Sequence, residues 1–242
     1  MRKLVIIPTY NERENIAAMI ERVLSSDEGF ELLVIDDGSP DGTAAIVRER
    51  QPQYPERLHL VERSGKLGLG TAYLTGFEWG LARGYDAMCE MDCDFSHDPN
   101  DLPRLFAAVE AGADVAVGSR YACGVNVVNW PMSRLLISYF GSRYVRFVTG
   151  LPVRDTTAGF VCYARRALER IDFGRIGMKG YGFQIEMKYT AWRLGMRIEE
   201  VPIVFTERRE GSSKMSGGIF REALFGVLGL RLRRIRGREA RA

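Results

Sequence analysis

Histidine is nearly missing from this chain: His59 and His97 are the only two. The four cysteines, Cys89, Cys93, Cys123 and Cys162, form no CxxC pair. Together these shortages exclude a zinc-type centre, and free thiols in a reducing compartment are expected. Long apolar runs are also missing. The N-terminal run of MRKLVIIPTYNE stops at Pro8, which suits a first core strand better than a signal peptide. The stretch Ala223 to Leu230 is far shorter than the ~20 residues that span a bilayer, so no transmembrane helix is expected. There is no internal repeat and no low-complexity segment. The first strand is followed by PTYNE rather than a glycine fingerprint, which argues against a dinucleotide oxidoreductase.

What is present is ordinary globular material: 242 residues, 46% hydrophobic and 27% charged. That is enough chain for one large α/β domain with its own core. The net charge of +3 conceals an asymmetry. Residues Lys214 to Ala242 carry eight Lys/Arg against two Asp/Glu, a balance of +6, leaving −3 on the remainder. A basic tail on a mildly acidic body suggests an anionic partner, or else a solubilising tail. No nucleic-acid partner is indicated. We divide the chain into a catalytic unit, 1–218, and a basic amphipathic helix and tail, 219–242.

The hydrophobic pattern alternates strands with helices. Strands are expected at Lys3–Ile7, Leu32–Ile35, Leu58–Val61, Ala87–Met91 and Val115–Gly118. Helical spacing falls at Glu14–Leu24, Thr43–Arg50, Leu67–Gly84 and Leu102–Ala111. Such alternation implies right-handed crossovers and a mainly parallel sheet, with ligands beyond the carboxyl ends of the strands. The second half predicts an amphipathic helix over Trp130–Gly150, a short strand at Val161–Tyr163 and a helix over Phe183–Leu194. A strand at Ile198–Phe205 and a last helix over Ile219–Arg236 follow.

Functional-group chemistry gathers just after the first five strands. Asp92-x-Asp94 ends the fourth. Two carboxylates on alternate residues can face a hard divalent cation, Mg²⁺ or Mn²⁺, with phosphate oxygens and water filling the other positions. The competing reading is an exposed acidic turn. Ser96 is a candidate further oxygen ligand, and His97 reads as a turn or supporting residue. Asp36 and Asp37 end the second strand, where a carboxylate can accept from a ribose hydroxyl or a base N–H. Gly65-Lys66-Leu67-Gly68-Leu69-Gly70 is either a phosphate-approaching loop or a tight turn. Arg120 ends the fifth strand, and Arg134 lies in WPMSR; both have the fork suited to phosphate. Asp155 and Glu186 either orient substrate or make structural hydrogen bonds.

PTYNE, DDGSPDGT, GKLGLGTA, MDCDFSHDP, VGSRY, WPMSR, DTTAGF, GYGFQIEM and ERREGSSKMS together resemble the polyprenol-phosphate (dolichol-phosphate) mannosyltransferases among the family 2 glycosyltransferases. The likeness runs from about Leu4 to about Phe220. It implies an A-type glycosyltransferase fold and a GDP-mannose donor. It further implies a divalent metal and inverting transfer onto a polyprenyl phosphate. By that resemblance Pro8, Tyr10, Glu12, Ile35 and Asp37 hold the nucleoside, and Asp92, Cys93 and Asp94 also belong to the nucleotide-sugar site. Asp92 and Asp94 hold the metal, with Ser96 in the place of a further ligand. Arg120, Arg208 and Lys214 match the donor- and acceptor-phosphate cations, and Arg134 matches a second acceptor-phosphate arginine. Cys93 stands where relatives often have Ala, and Ser96 where they often have Gln. Many relatives carry C-terminal transmembrane helices; here the resemblance implies peripheral attachment at the cytoplasmic face. That attachment would come through surface contact, a membrane-anchoring partner subunit, or a mannosyltransferase that uses the product.

Two alternatives stay open from sequence: glucosyl transfer from UDP-glucose, and a nucleotide-sugar-binding subunit without turnover. Membrane contact is expected from two faces. One is Phe220, Leu224, Leu228, Leu232 and Ile235 with Arg231, Arg233, Arg234 and Arg236. The other is Trp130, Leu136, Phe140, Tyr144 and Phe147 with Arg143 and Arg146.

Overall fold

The computed structural model describes residues 1–26, 28–178, 180–207, 226–233, 235 and 237–238. β-Branched and leucine-rich runs form β1 (Lys3–Thr9), β2 (Glu31–Asp36), β3 (Leu58–Glu62), β4 (Ala87–Glu90) and β5 (Val115–Ser119). Between them lie α1 (Arg13–Leu24), α2 (Thr43–Arg50), α3 (Leu69–Ala82) and α4 (Leu102–Glu110). Then come β6 (Val127–Val128), α5 (Met132–Thr149), β7 (Val161–Ala164), α6 (Arg165–Arg170), α7 (Tyr181–Arg193), β8 (Ile198–Pro202) and β9 (Phe205–Thr206).

Seven strands form one sheet in the order β3-β2-β1-β4-β7-β5-β8, and β6 pairs with β9 apart from it. The sheet is buried on both sides because each strand alternates between two cores. Leu4 and Ile6 of β1 face Tyr73 and Phe77 of α3. Val5 and Ile7 face Ile16, Ile20 and Val23 of α1 and Phe106 of α4. Strands buried on both faces explain why the runs read as continuously apolar.

Two topological features position the site. β1 is flanked by β2 on one side and β4 on the other, both parallel to it. The chain therefore departs in opposite directions beyond the carboxyl ends of β1 and β4, which opens a crevice there. Secondly, β7 runs antiparallel between β4 and β5, with Val161 opposite both Glu90 and Val117. An antiparallel strand begins where its parallel neighbours end, so residues 155–160 are delivered to the same edge.

The expected mainly parallel α/β architecture is present, with small differences. The strand expected over Ile198–Phe205 breaks after Pro202, and Phe205–Thr206 leaves to pair with β6. β6 and α6 had no periodic signal, being 2 and 6 residues long. Three cysteines are buried and Cys123 is exposed; all four are free. Of the last helix, residues 226–232 are described as helical. There Val227 and Leu230 pack into the core while Leu228 and Leu232 point outward. Arg208, Lys214, Phe220, Leu224, Arg234 and Arg236 lie outside the described residues. Among the described residues no helix is long and apolar enough to cross a membrane.

Candidate active site at the carboxyl edge of the sheet

Asp92 follows β4 by two residues, in a turn whose sharpness is visible in the positive φ of Phe95, 58°. Its side chain is 39% exposed, and it accepts a hydrogen bond from the Tyr73 hydroxyl at 3.3 Å. Asp94 is buried, and its Oδ1 accepts the N–H of Ser96 at 3.1 Å. The turn is backed by His97, which is buried, stacked on Phe160 and set edge-on against Phe205. The Asp92 N–H donates to His97 Nδ1 at 3.2 Å, which fixes the neutral tautomer with its proton on Nε2. Burial lowers the His97 pKa in the same sense, against the raising pull of Asp92 and Asp94. His97 thus supports the turn.

Two hard-oxygen carboxylates two residues apart, one of them accessible, suit a divalent cation. Among the described residues no third His, Cys, Asp or Glu joins them. Substrate diphosphate and water would complete the shell, as Mg²⁺ and Mn²⁺ allow. Ser96 is buried in the same turn, tied to Asp94 through its backbone.

Across the crevice, Pro8 and Ile35 stand in register on β1 and β2, and Tyr10 and Glu12 follow at the tip of β1. The Glu12 N–H is held by Thr43 Oγ1 at 3.0 Å, and its Oε2 accepts from Asn15. Asp37 is buried with both oxygens engaged: Arg63 Nε donates to one at 2.6 Å and the Leu67 N–H to the other at 3.2 Å. Asp37 therefore ties the tip of β2 to the loop after β3. Gly38 must be glycine here, since its φ is +68° and a Cβ would lie 3.2 Å from the Arg63 carbonyl. Gly70 has a different reason. A Cβ there would meet the Phe183 ring at 2.8 Å, so this glycine serves helix packing. Lys66 Nζ lies 4.9 Å from the centre of the Tyr10 ring, beside the nucleoside candidates.

Arg120 is buried at the end of β5, and its partner is Asp155. Nε donates to Asp155 Oδ2 at 2.7 Å, the Arg120 backbone N–H donates to the same oxygen at 2.9 Å, and Nη2 reaches the other oxygen. Thr157 Oγ1 accepts from Nη2 at 2.9 Å. Burial would raise the Asp155 pKa, but the adjoining guanidinium outweighs it and holds the carboxyl below the usual range. The same guanidinium lies 5.3 Å from the Trp130 ring, and Arg134 lies 4.3 Å from that ring. Arg134 is paired with Glu207. The two phosphate candidates thus flank one indole, and each already carries a carboxylate. Engagement with phosphate then requires exchange of partners. Asp155 is accounted for as the holder of Arg120. Glu186 is accounted for structurally: it accepts the N–H groups of Gly177 and Met178 at 2.9 and 2.7 Å and pairs with Arg233.

Because Lys has neither the fork nor the planar face, Arg134→Lys is expected to lower turnover by roughly tenfold or more and to raise the acceptor KM. Kinetics equal to wild type would remove Arg134 from phosphate recognition.

Behind this edge lies a buried network absent from the sequence reading. Gln184 Nε2 donates to Glu90 Oε2 at 2.6 Å, and Lys188 Nζ donates to the Ala158 carbonyl at 2.7 Å. Glu90 Oε1 is buried with no described partner. Burial pushes the Glu90 carboxyl up to about 8, against the pull of Gln184 and Lys188. The folded state therefore holds a proton that the unfolded chain releases near the ordinary 4.5. The associated stability is complete below that value and lost as pH rises through about 8. Urea denaturation at pH 5 and pH 8 should show wild type losing a few kcal/mol more than Glu90→Gln over that interval. Parallel losses would mean that Glu90 is ionised in the fold.

Carboxylates and carboxylate-paired arginines are thus gathered at the carboxyl edge of an α/β sheet, where such folds bind their ligands. Residues 4–172 match the profile of glycosyl transferase family 2, and the chain belongs to that family. It is 51% identical over 226 residues to the polyprenol monophosphomannose synthase of Mycolicibacterium smegmatis, covering 93% of this chain and 85% of the relative. It is 49% identical over 227 residues to the undecaprenyl-phosphate mannosyltransferase of Micrococcus luteus, covering 94% and 93%. Among solved structures, the glucosyl-3-phosphoglycerate synthase of Mycobacterium tuberculosis with Mn²⁺, UDP-glucose and phosphoglyceric acid superposes with a TM-score of 0.68. That pair is 20% identical, over 94% of this chain and 80% of the other. At that identity the likeness is one of fold.

Proposed function

We propose that this protein transfers mannose from GDP-mannose to the phosphate of a membrane polyprenol, with inversion, giving polyprenyl phosphate β-mannose. The observation that carries the reading is the kinship with two polyprenyl-phosphate mannosyltransferases across more than nine-tenths of the chain. The geometry agrees with it. Asp92 and Asp94 are the residues that would hold a divalent cation, which when bound neutralises charge on the leaving diphosphate. Pro8, Tyr10, Glu12, Ile35 and Asp37 border the nucleoside. Arg120 and Arg134, on either side of Trp130, take the acceptor phosphate. Arg208 and Lys214 are assigned to phosphate by sequence alone.

The acceptor needs little activation. A phosphate monoester has its second pKa near ~6 and is largely dianionic at neutral pH. Its oxygen attacks the anomeric carbon, the bond to the diphosphate breaks on the opposite face, and GDP departs with the electron pair. What the chain supplies is alignment and charge.

The acceptor is confined to a bilayer, so the enzyme works at its surface. The outward residues of α5 include Phe140 and Phe147, 59% and 88% exposed, on a helix with three arginines and no acid. Leu228 and Leu232 extend that exposed surface, and Arg231 Nη1 donates to the Val148 carbonyl of α5. We place this face on the cytoplasmic leaflet, with 1–218 as the catalytic unit and 219–242 as the basic attachment. A membrane-anchoring subunit or a mannosyltransferase consuming the product is the matching partner. Incubation with radiolabelled GDP-mannose, Mg²⁺ and a polyprenyl phosphate should move label into organic-extractable lipid. Label transferred from UDP-glucose instead would reassign the donor. Nucleotide binding without any product would reassign the protein as a binding subunit.

A further inference from the structure

Next to the strand edge, with the Tyr121 ring in one wall 5.4 Å from the Arg120 guanidinium, two adjoining hollows of about 390 and 320 Å³ share Arg143 and Arg146 of α5. Phe147 and Leu151 wall the first; Tyr121, Tyr139 and Arg154 wall the second. No Asp or Glu lines either hollow, and neither reaches Asp92, Asp94 or Arg134. Arg143 meets the Tyr139 ring at 5.9 Å, and among the described residues neither it nor Arg146 meets a carboxylate. Elsewhere at this end of the molecule arginines are neutralised, Arg120 by Asp155 and Arg134 by Glu207. Among the described residues, no ion pair neutralises the three cations around the hollow. Arg154 is fixed by its Nη1 donating to the Ala122 carbonyl, while its backbone N–H donates to Glu200.

The helix explains the arrangement. Ser142, Val145 and Thr149 are the buried residues of α5, and they set its inward direction. At 100° per residue, Leu136, Phe140 and Phe147 point nearly opposite, and Arg143 and then Arg146 follow along one side of that stripe. Cations therefore border an exposed apolar face and open into a hollow with no anion. Like charges so gathered repel unless an anion sits among them, and the guanidinium fork matches phosphate oxygens.

We propose that the hollow walled by Arg143, Arg146 and Arg154 binds the phosphate of an anionic phospholipid headgroup while the outward face of α5 lies on the bilayer; this rests on the bilayer-surface reading above. The bound lipid is distinct from the polyprenyl substrate, whose phosphate goes to Arg120 and Arg134. It orients the catalytic edge relative to the membrane.

The test is flotation of the full chain with phosphatidylcholine vesicles, with or without phosphatidylglycerol. Wild type is compared with Arg143→Gln/Arg146→Gln. A charge-matched control is Arg48→Gln/Arg104→Gln, exposed on α2 and α4 across the sheet. Thermal melts establish that all three fold. Affinity for phosphatidylglycerol vesicles should fall on the order of 30-fold in the α5 pair, from ~1 kcal/mol per basic residue at the surface, and far less in the control. Equal losses in both pairs would overturn the site and leave only net charge. If wild type floats with neither vesicle, the bilayer-surface reading itself fails and the proposal with it. If inorganic phosphate titrated against the free protein saturates the hollow at micromolar concentration and vesicle affinity does not depend on the α5 pair, the ligand is a soluble phosphate and the lipid assignment is overturned.

Discussion

Asp92→Asn and Asp94→Asn should each lower transfer by two or more orders of magnitude while leaving the thermal midpoint almost unmoved. The asymmetry follows from burial and partners. Asp92 is 39% exposed and touches Tyr73 and the neighbourhood of His97, so an amide replaces it with little loss of packing. Asp94 accepts one backbone N–H, which an amide oxygen also accepts. What the amides cannot supply is charge. A divalent cation held by two carboxylates loses half of the protein's anionic ligation in either variant, and the leaving diphosphate is then left less neutralised. Excess chelator should abolish wild-type activity by the same argument, and Mn²⁺ or Mg²⁺ should restore it. Full activity in chelator would end the metal assignment. A variant that loses activity together with its fold would show that the turn has a structural duty instead.

The second large effect concerns stability. Asp155→Ala should destabilise the protein by about 3–5 kcal/mol, because it strands a buried guanidinium without its counter-charge. Arg120 and Asp155 are both buried, and the pair is joined by three hydrogen bonds. Replacing both partners by apolar residues, Arg120→Met with Asp155→Leu, should recover most of that loss, since desolvation of the pair offsets much of its attraction. Urea denaturation of the two singles and the double gives the coupling directly. A single Asp155→Ala costing under ~1 kcal/mol would contradict the buried-pair account. The double variant should nonetheless be inactive, since Arg120 is also assigned to phosphate. Stability and activity thus separate at this pair. If Arg120 exchanges Asp155 for a phosphate, pyrophosphate should raise the thermal midpoint of Asp155→Ala more than that of wild type.

The sequence made the parallel half of the fold readable because each strand there is an uninterrupted apolar run bounded by a turn. The helix expected over Thr43–Arg50 has those same bounds. The second half was harder for a physical reason. A strand is expected at Val161–Tyr163 and β7 is present there, but its antiparallel place between β4 and β5 leaves no mark in the sequence, and β6 and β9, at 2 residues each, are too short for a period to register. The candidate site was legible in its residue types and not in its pairings. Arg120 and Arg134 could be picked as phosphate cations, but nothing in spacing says that Asp155 and Glu207 neutralise them or that Trp130 stands between. Those contacts cross 35 and 73 positions of chain. Arg63 was missed although the rule that found Arg120 applies equally to it: it directly follows β3. The buried Glu90, Gln184 and Lys188 were missed because a polar residue within an apolar strand or helix carries no signal of its own partner.

The antiparallel strand has a consequence for how the chain is made. Once residue 120 has left the ribosome, β1 to β5 are all available, yet β4 and β5 cannot pair with each other in the final order, since β7 belongs between them. Synthesis at about 5–20 residues per second leaves the β4 edge bare for on the order of ten seconds until residues 161–164 emerge. Its exposed backbone would invite pairing with a second nascent chain. The turn carrying Asp92 and Asp94 hangs from that same strand, so it reaches its final setting only after about two-thirds of the chain has been synthesised. Ribosome-bound fragments ending near 150 should bind chaperones and aggregate on release, whereas fragments ending beyond 205 should do neither.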